Sequence, residues 1–457
     1  RGIGLVITLL LARFLAPADY GLVAMMAVFL AVADSLMDSG FKQALIRLEE
    51  AGQVDFNTAF YSNIGLGTVS YALLFFTAPL IAEFYQEPRL NVLIRVSGLS
   101  IISHSFEVVQ VAILSRELNF KAQLQATIPA GLISGLIALC MAYTKFGVWA
   151  LIAQIHLSAL VKVLFLWWKS HWRPSKEISI HSFKKMYVFG YKMFFSSFLE
   201  IVFQNLYVIV IARLFAVSIA GYYFFANKIR DLVTSQVVGS IQNVTYPALA
   251  SMQGDASRLK AGYRKVVQIT TFILFPVMLI LAALAEPLFS VLFHEKWLPA
   301  VPYLQLLCIA GIMHPLHVIN LNILKVKGRS DLYLHLEIIK KIMGVIVLVG
   351  SIRYGVFGIL IGQIIVSVLS YIPNSLFASQ LIHYTVREQL SDFLPNLGIS
   401  TIIALLIASS NHFLSWTAAI KLMSFSAMAL ILYVLSAYFI QLKSFCLAKQ
   451  MLLGRKR

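Results

Sequence analysis

Long apolar runs separated by short polar breaks dominate the chain. They fall at about 2–15, 22–40, 58–81, 90–113, 122–143, 147–168, 188–215, 221–249, 266–293, 299–324, 332–351, 355–377, 394–410 and 418–440. A helix needs about 20 mostly apolar residues to cross the hydrocarbon core of a bilayer, and most of these runs reach that length. The runs do not alternate with period two, as the strands of a membrane barrel do. Backbone groups in lipid must be satisfied within their own segment, so each run is expected to form a helix. The first run is short and follows directly on Arg1, so the chain is expected to begin inside its first helix. The pattern predicts an all-α membrane protein with about 14 transmembrane helices.

Composition agrees. Of 457 residues, 59% are apolar and 12% charged, which excludes a soluble enzyme, a disordered tail protein and a disulfide-stapled secreted domain. The net charge of +17 would suit nucleic acid, but Lys and Arg also accumulate in the cytoplasmic loops of membrane proteins. Connections after even-numbered helices, with the tail, hold 22 Lys and Arg, and the opposite connections hold 4, namely Arg89, Lys145, Lys296 and Arg353. The asymmetry assigns the basic side and both termini to the cytoplasm, and no nucleic-acid partner is expected. Three cysteines (Cys140, Cys308, Cys446) without CxxC spacing indicate neither a disulfide framework nor a zinc site. GxxxxGK[ST], GxSxG and HExxH are all missing from the sequence, so no catalytic residue is expected and the chain reads as a non-enzyme.

An internal repeat organises the runs. Ala12-Arg13-Phe14-Leu15-Ala16 followed by Gly21 recurs as Ala212-Arg213-Leu214-Phe215-Ala216 followed by Gly221, an offset of 200. Pro79-Leu80 recurs as Pro287-Leu288, and Lys145-Phe146-Gly147-Val148 as Arg353-Tyr354-Gly355-Val356, both at 208. His104 with Ile113-Leu114 recurs as His314 with Ile323-Leu324, at 210. Six helices per copy is an even number, so both copies insert in the same orientation, the parallel-repeat arrangement. The expected organisation is an N-lobe over 1–168, a basic cytoplasmic linker over 169–187, a C-lobe over 188–377, two further helices over 378–440 and a basic cytoplasmic tail over 441–457.

The stretch Leu11-Ala12-Arg13-Phe14-Leu15-Ala16-Pro17-Ala18-Asp19-Tyr20-Gly21-Leu22-Val23-Ala24 resembles the start of Wzx-type bacterial polysaccharide flippases. Asp38-Ser39-Gly40-Phe41-Lys42-Gln43-Ala44-Leu45-Ile46 and Ala78-Pro79-Leu80-Ile81-Ala82-Glu83-Phe84-Tyr85 resemble the same family. These flippases belong to the superfamily that also holds multidrug and toxin extruders (MATE). The resemblance implies a MATE-like fold of two pseudo-symmetric six-helix lobes plus two C-terminal helices. It implies a transporter of undecaprenyl-diphosphate-linked oligosaccharide across the bacterial inner membrane, working by alternating access. The implied partners are the lipid-linked anionic oligosaccharide, membrane lipids, a polymerase and other polysaccharide-assembly proteins. No bound cofactor is implied beyond coupling to an H⁺ or Na⁺ gradient.

Ionisable residues inside spans are costly and point to function by default. Arginine grips a diphosphate bidentately. The substrate-side candidates are therefore Arg13, Arg213, Lys228, Arg230, Lys192 and Arg95, with Arg13 and Arg213 a pseudo-symmetric pair. Snorkelling toward the nearby loop is the competing role for that pair. Lys162 also lies in a span, while Lys340 and Lys341 follow Glu337 at helix-pair spacing. Asp34, Asp38, Glu107 and Glu200 are the ion-coupling candidates, since a carboxyl inside a membrane can exchange a proton or Na⁺. His314 and His317 share a helix but lack a further ligand, so kinking at Pro315 and bonding across helices is the expected role. A multidrug or toxin ion-coupled extruder of the same superfamily, whose cargo includes cationic drugs, and a membrane polysaccharide polymerase or ligase are the rival functions. The first would want an acidic cleft, and the second a long outward loop that the sequence does not offer.

Overall fold

The computed structural model describes residues 2–453. Arg1 and residues 454–457, the start of the chain and the end of the expected basic tail, lie outside them. The chain divides into two compact units, one up to Phe224 and one from Phe225 on. The first holds α1 (Gly2–Phe14), α2 (Pro17–Asp38), α3 (Phe41–Arg47), α4 (Gln53–Tyr85), α5 (Arg89–Ser105), α6 (Val108–Arg116), α7 (Phe120–Tyr143), α8 (Val148–Lys169), α9 (Ile180–Gln204) and α10 (Leu206–Leu214). The boundary falls within α11 (Val217–Ala250). The second unit continues with α12 (Ala256–Ala283), α13 (Ala285–Phe293), α14 (Val301–Gly311), α15 (His314–Val326), α16 (Ser330–Ser351), α17 (Gly355–Ile382), α18 (Val386–Phe413), α19 (Ala418–Phe439) and α20 (Lys443–Leu453). Among the described residues there is no strand.

Every apolar run coincides with helix. Eleven helical stretches are long and apolar enough to cross a membrane. One of them, Asp331–Ile382, has 52 residues, which as a single helix would reach about 78 Å, over twice a bilayer core. The 3₁₀ turn Ile352–Tyr354 breaks it into α16 and α17, two crossings' worth of chain. Two of the expected 14 runs stay outside this set. Helix α1 has 13 residues, and α11 carries Lys228, Arg230 and Asp231 within about one turn.

Several helices begin well before their apolar run because a polar residue caps them there. Ser179 Oγ accepts the Ser182 amide at 3.3 Å, starting α9 at Ile180. Asp255 Oδ1 accepts the Ser257 and Arg258 amides at 2.9 and 3.0 Å, starting α12 at Ala256. The Arg258 amide and the Ser257 hydroxyl hold the Asp255 carboxyl below the usual carboxylate range. Thr385 and Glu388 exchange hydrogen bonds as a capping box for α18.

The duplication extends to the positions where the backbone takes a positive φ. Positive φ angles recur at Gln86 (56°) and His294 (66°), at Leu118 (54°) and Gly328 (68°), and at Gly147 (57°) and Gly355 (72°). The offsets are those of the sequence repeat. The run over 90–113 is interrupted between α5 and α6, and its counterpart is interrupted between α14 and α15.

In the first unit the segment after α8 is strapped to α4 by side chains that apolar periodicity does not reveal. Buried Asn57 donates to Ser175 Oγ at 2.6 Å and accepts the Ser175 amide at 3.0 Å. Buried Thr58 accepts the Ser179 amide at 3.0 Å, and Gln53 donates to the Arg173 carbonyl at 2.8 Å. Phe60 packs beside Phe106, Trp167 and Trp172, and Trp167 Nε1 donates to the Phe106 carbonyl at 2.9 Å.

The second unit has an aromatic core of Phe225, Phe289, Phe293 and Trp297, all fully buried. It also holds a polar core between α12 and α18. The Asp392 carboxylate, with a side chain 0% exposed, accepts from Arg264 Nε (2.7 Å) and Nη2 (2.9 Å), Gln268 Nε2 (2.7 Å) and the Tyr384 hydroxyl (2.6 Å).

Candidate functional site: a mixed-charge cavity in the first unit

A cavity of about 510 Å³ opens among α2, α3, α5, α6, α8 and α9. Helix α2 places Asp34 and Asp38 one turn apart on the face toward it, and α3 contributes Lys42. The break between α5 and α6 brings in His104 and Glu107. A backbone interruption at membrane depth is tolerated where protein or a wet cavity covers it. Helix α8 supplies Lys162. Helix α9 supplies Ser197, Glu200 and Gln204, whose three- and four-residue spacing lines them along one face.

These groups pair across helices. His104 Nδ1 lies 3.0 Å from Asp34 Oδ1, joining α5 to α2. Lys162 Nζ donates to Glu107 Oε1 at 2.8 Å, and the Glu107 side chain is 16% exposed. Glu107 Oε2 is buried without a hydrogen-bond partner among the described residues. Lys42 approaches Asp38 at 3.7 Å, and Gln204 donates to Glu200 at 2.8 Å. Four carboxylates thus face two ammoniums and one imidazole. Such a set can bind and release a cation or a proton with little rearrangement, because each carboxylate keeps a neighbouring donor in reach.

All four ion-coupling candidates, Asp34, Asp38, Glu107 and Glu200, line this one cavity. The six substrate-side candidates do not. Arg13 is exposed at the end of α1. Arg213 is half-buried, its guanidinium 5.6 Å from the centre of the Phe84 ring. Arg95 stacks 4.3 Å from the Phe75 ring and donates to the Phe75 carbonyl at 3.3 Å. Lys192 is exposed, 5.9 Å from the Tyr191 ring. Lys228 and Arg230 belong to the second unit. There Asp231 takes Arg230 Nη2 at 2.5 Å and Asn227 at 3.0 Å. Lys340 pairs with Glu337 at 2.5 Å, the i,i+3 contact read from spacing. His317 meets Asn374 across α15 and α17 at 2.9 Å.

Two cavity partners escape a linear reading. His104 stands out only as a repeat position, and Lys162 only as a lone cation in an apolar run. Their roles come from helices that meet in space, separated by 70 and 55 residues from Asp34 and Glu107.

An all-α chain with eleven helical stretches of crossing length among the described residues, and charged groups gathered in a cavity between several of them, defines a multi-pass membrane protein of transporter type. Residues 10–302 match the family described as polysaccharide biosynthesis protein, and the chain belongs to that family. It is 26% identical over 380 residues to the lipopolysaccharide biosynthesis protein WzxC of Escherichia coli (strain K12), covering 81% of this chain and 77% of that one. It is 28% identical over 315 residues to the succinoglycan biosynthesis transport protein ExoT of Rhizobium meliloti (strain 1021), covering 69% and 64%. In fold it is similar to the lipid II flippase MurJ in an inward closed conformation, with a TM-score of 0.73 at 16% identity over 96% of each chain. It is also similar to an inward-facing multidrug resistance MATE family transporter, with a TM-score of 0.64 at 17% identity over 83% of this chain and 95% of that one.

Proposed function

We propose that this protein is a flippase that carries undecaprenyl-diphosphate-linked oligosaccharide across the bacterial inner membrane for surface polysaccharide assembly. Family membership together with a multi-pass helical fold carries the reading. Relatives named for lipopolysaccharide biosynthesis and succinoglycan transport support the cargo class. A sugar chain and a diphosphate cannot enter hydrocarbon unassisted, because stripping charged and polar groups of water costs many kcal/mol. The work is relocation of a headgroup, with no bond made or broken. A polymerase or another assembly protein would take the cargo on the far side, and both termini would lie in the cytoplasm with the basic connections.

Cells lacking the chain are expected to lose surface polysaccharide and to accumulate the lipid-linked unit in the inner leaflet, with both effects reversed by re-expression. Normal surface polysaccharide in such cells would refute the reading. The carboxylate surplus of the cavity is the one feature that suits a cationic-drug extruder. Restored export of a lipophilic dye without restored polysaccharide would select that alternative.

Within this reading, Arg13 and Arg213 are the proposed ligands of the diphosphate, and the cavity is the coupling site. Replacing both arginines with glutamine is expected to cut polysaccharide export at unchanged protein abundance, measured by surface polysaccharide against immunoblot. Unchanged export would remove them from the substrate path. A proton suits the cavity better than Na⁺. Hard cations gather several oxygen ligands at once, and here Asp34, Asp38 and Glu107 each already face an imidazole or an ammonium.

A further inference from the structure

A second cavity of the first unit, of about 560 Å³, lies where the end of α3 faces the start of α9. Arg47 closes α3, Glu49 and Glu50 follow in the connection to α4, and Lys185, Met186 and Phe189 come from α9. Both walls are fixed. Arg116 of α6 donates to the carbonyls of Leu45 (2.7 Å), Glu49 (3.2 Å) and Leu48, so one guanidinium caps α3 and pins the turn that carries the two glutamates. Helix α9 passes the break between α2 and α3 so closely that a β-carbon added to Gly190 would fall on the Ser39 carbonyl oxygen. Along α9 this crossing separates Lys185, Met186 and Phe189 from Ser197 and Glu200, so the cavity is distinct from the mixed-charge cavity above.

The lining also differs in kind. Arg47, Glu49, Glu50 and Lys185 are exposed, and among the described residues none of these side chains is in a hydrogen bond or ion pair. Two positive and two negative groups balance, so the cavity favours neither an anion such as a diphosphate nor a cationic drug. Met186 and Phe189 give the wall an apolar part, and the Arg47 guanidinium lies 5.3 Å from the centre of the Phe189 ring. A guanidinium and a carboxylate each present two coplanar hydrogen-bonding groups, a spacing that suits neighbouring hydroxyls on a sugar ring. An aromatic wall covers the C–H face of such a ring. The volume is in the range of small-molecule sites, and a pinned rim lowers the cost of ordering the ligand's partners.

We propose that this cavity binds the sugar part of the lipid-linked cargo, apart from its diphosphate, with Arg47, Glu49 and Glu50 as hydrogen-bonding groups and Phe189 as the apolar wall. The proposal rests on the flippase reading for its ligand. It adds a site where one sugar sequence is preferred to another by hydroxyl pattern. The site lies on the side of the basic connections, since residues 41–57 and 169–187 are two of them.

The test uses the full chain in phosphatidylcholine nanodiscs. The probe is the repeat-unit oligosaccharide freed by mild acid from the host's own lipid-linked precursor. Calorimetric titration is expected to show saturable binding that excess sodium pyrophosphate does not displace. Glu49→Ala with Glu50→Ala should raise the dissociation constant about tenfold or more, because charge-assisted hydrogen bonds are lost. Both side chains are exposed, so the double variant should keep its abundance and melting temperature. Arg47→Ala, also at an exposed position, should weaken binding in the same way. No binding, displacement by pyrophosphate, or affinity unmoved in all three substitutions would overturn the site. The two readings fail separately. A chain that binds the oligosaccharide in this alanine-sensitive way, yet does not restore polysaccharide to cells lacking it, keeps the site and loses the flippase. A chain that restores polysaccharide and binds no oligosaccharide keeps the flippase and loses the site.

Discussion

Replacing Asp392 with alanine is expected to destabilise the second unit by about 3 kcal/mol or more, the largest loss that any single side chain here should cause. The carboxylate takes four donors from three side chains and is itself shut off from solvent. Removing it strands the Arg264 guanidinium, the Gln268 amide and the Tyr384 hydroxyl beside a void. Orphaned buried donors cost more than the bonds were worth, because they cannot recover their water. Arg264 keeps one recourse, since Glu388 lies 3.8 Å away and also holds Lys260 at 3.0 Å. That recourse places the expected loss toward the lower end for a broken buried ion pair. Further along α18, Asn396 donates to Thr271 at 2.9 Å and accepts from Ser444 at 2.8 Å. The helices outside the repeat are thus stitched to α12 by polar contacts, in addition to apolar packing. Asp392→Asn keeps the shape and half the acceptors, so it should lose less. The check is thermal aggregation of detergent-solubilised protein together with abundance in the membrane. An alanine variant with wild-type abundance and melting would show that the network contributes nothing.

The contrast between Asp392 and the apolar runs marks what one sequence discloses. A run such as 58–81 states its own conformation, because lipid forbids anything but a helix there. Its ends are less plain, since caps such as Ser179, Asp255 and Thr385 extend helices into polar sequence. The number of crossings is less plain again. A stretch such as α11 is helical by periodicity, yet Lys228, Arg230 and Asp231 leave it too polar to be counted by apolarity alone. Spacing put Asp34 and Asp38 on one face, and lone carboxylates in apolar runs drew attention to Glu107 and Glu200. That these four share a cavity is a tertiary fact, as is the bond between Arg264 and Asp392 across 128 residues. The basic candidates show the opposite limit. An arginine in an apolar run reads as functional, but Arg95 resting on the Phe75 ring is already accommodated by an aromatic face, which periodicity does not reveal. The repeat did best of all. Its offsets reappear as recurring positive-φ positions, because duplicated sequence carries its backbone constraints with it.

Exchanging the charges of the Glu107–Lys162 pair is expected to leave the fold intact and to lower polysaccharide export by about tenfold or more. Each single change, Glu107→Gln or Lys162→Met, removes one partner of a partly buried 2.8 Å bond, so abundance should fall and export with it. Singles therefore do not separate structure from coupling. The double exchange, Glu107→Lys with Lys162→Glu, rebuilds the ion pair with reversed sense and should restore abundance. It also moves the carboxylate from the break between α5 and α6 onto α8, and sets an ammonium three residues from His104. His104 shares its hydrogen bond with Asp34, and the charges facing that pair are Asp38, Lys42, Glu107, Lys162 and Glu200. The exchange therefore puts a cation where Glu107 stood beside the imidazole and changes the charge pattern around the His104–Asp34 bond. The measurement pairs export with an imposed pH gradient and, separately, with an imposed Na⁺ gradient. Export by the wild-type chain should follow the former, and the exchanged variant should lose that response at normal abundance. Wild-type export by the exchanged variant would reduce Glu107 and Lys162 to a structural pair. Export driven by Na⁺ alone would overturn the proton reading of this cavity.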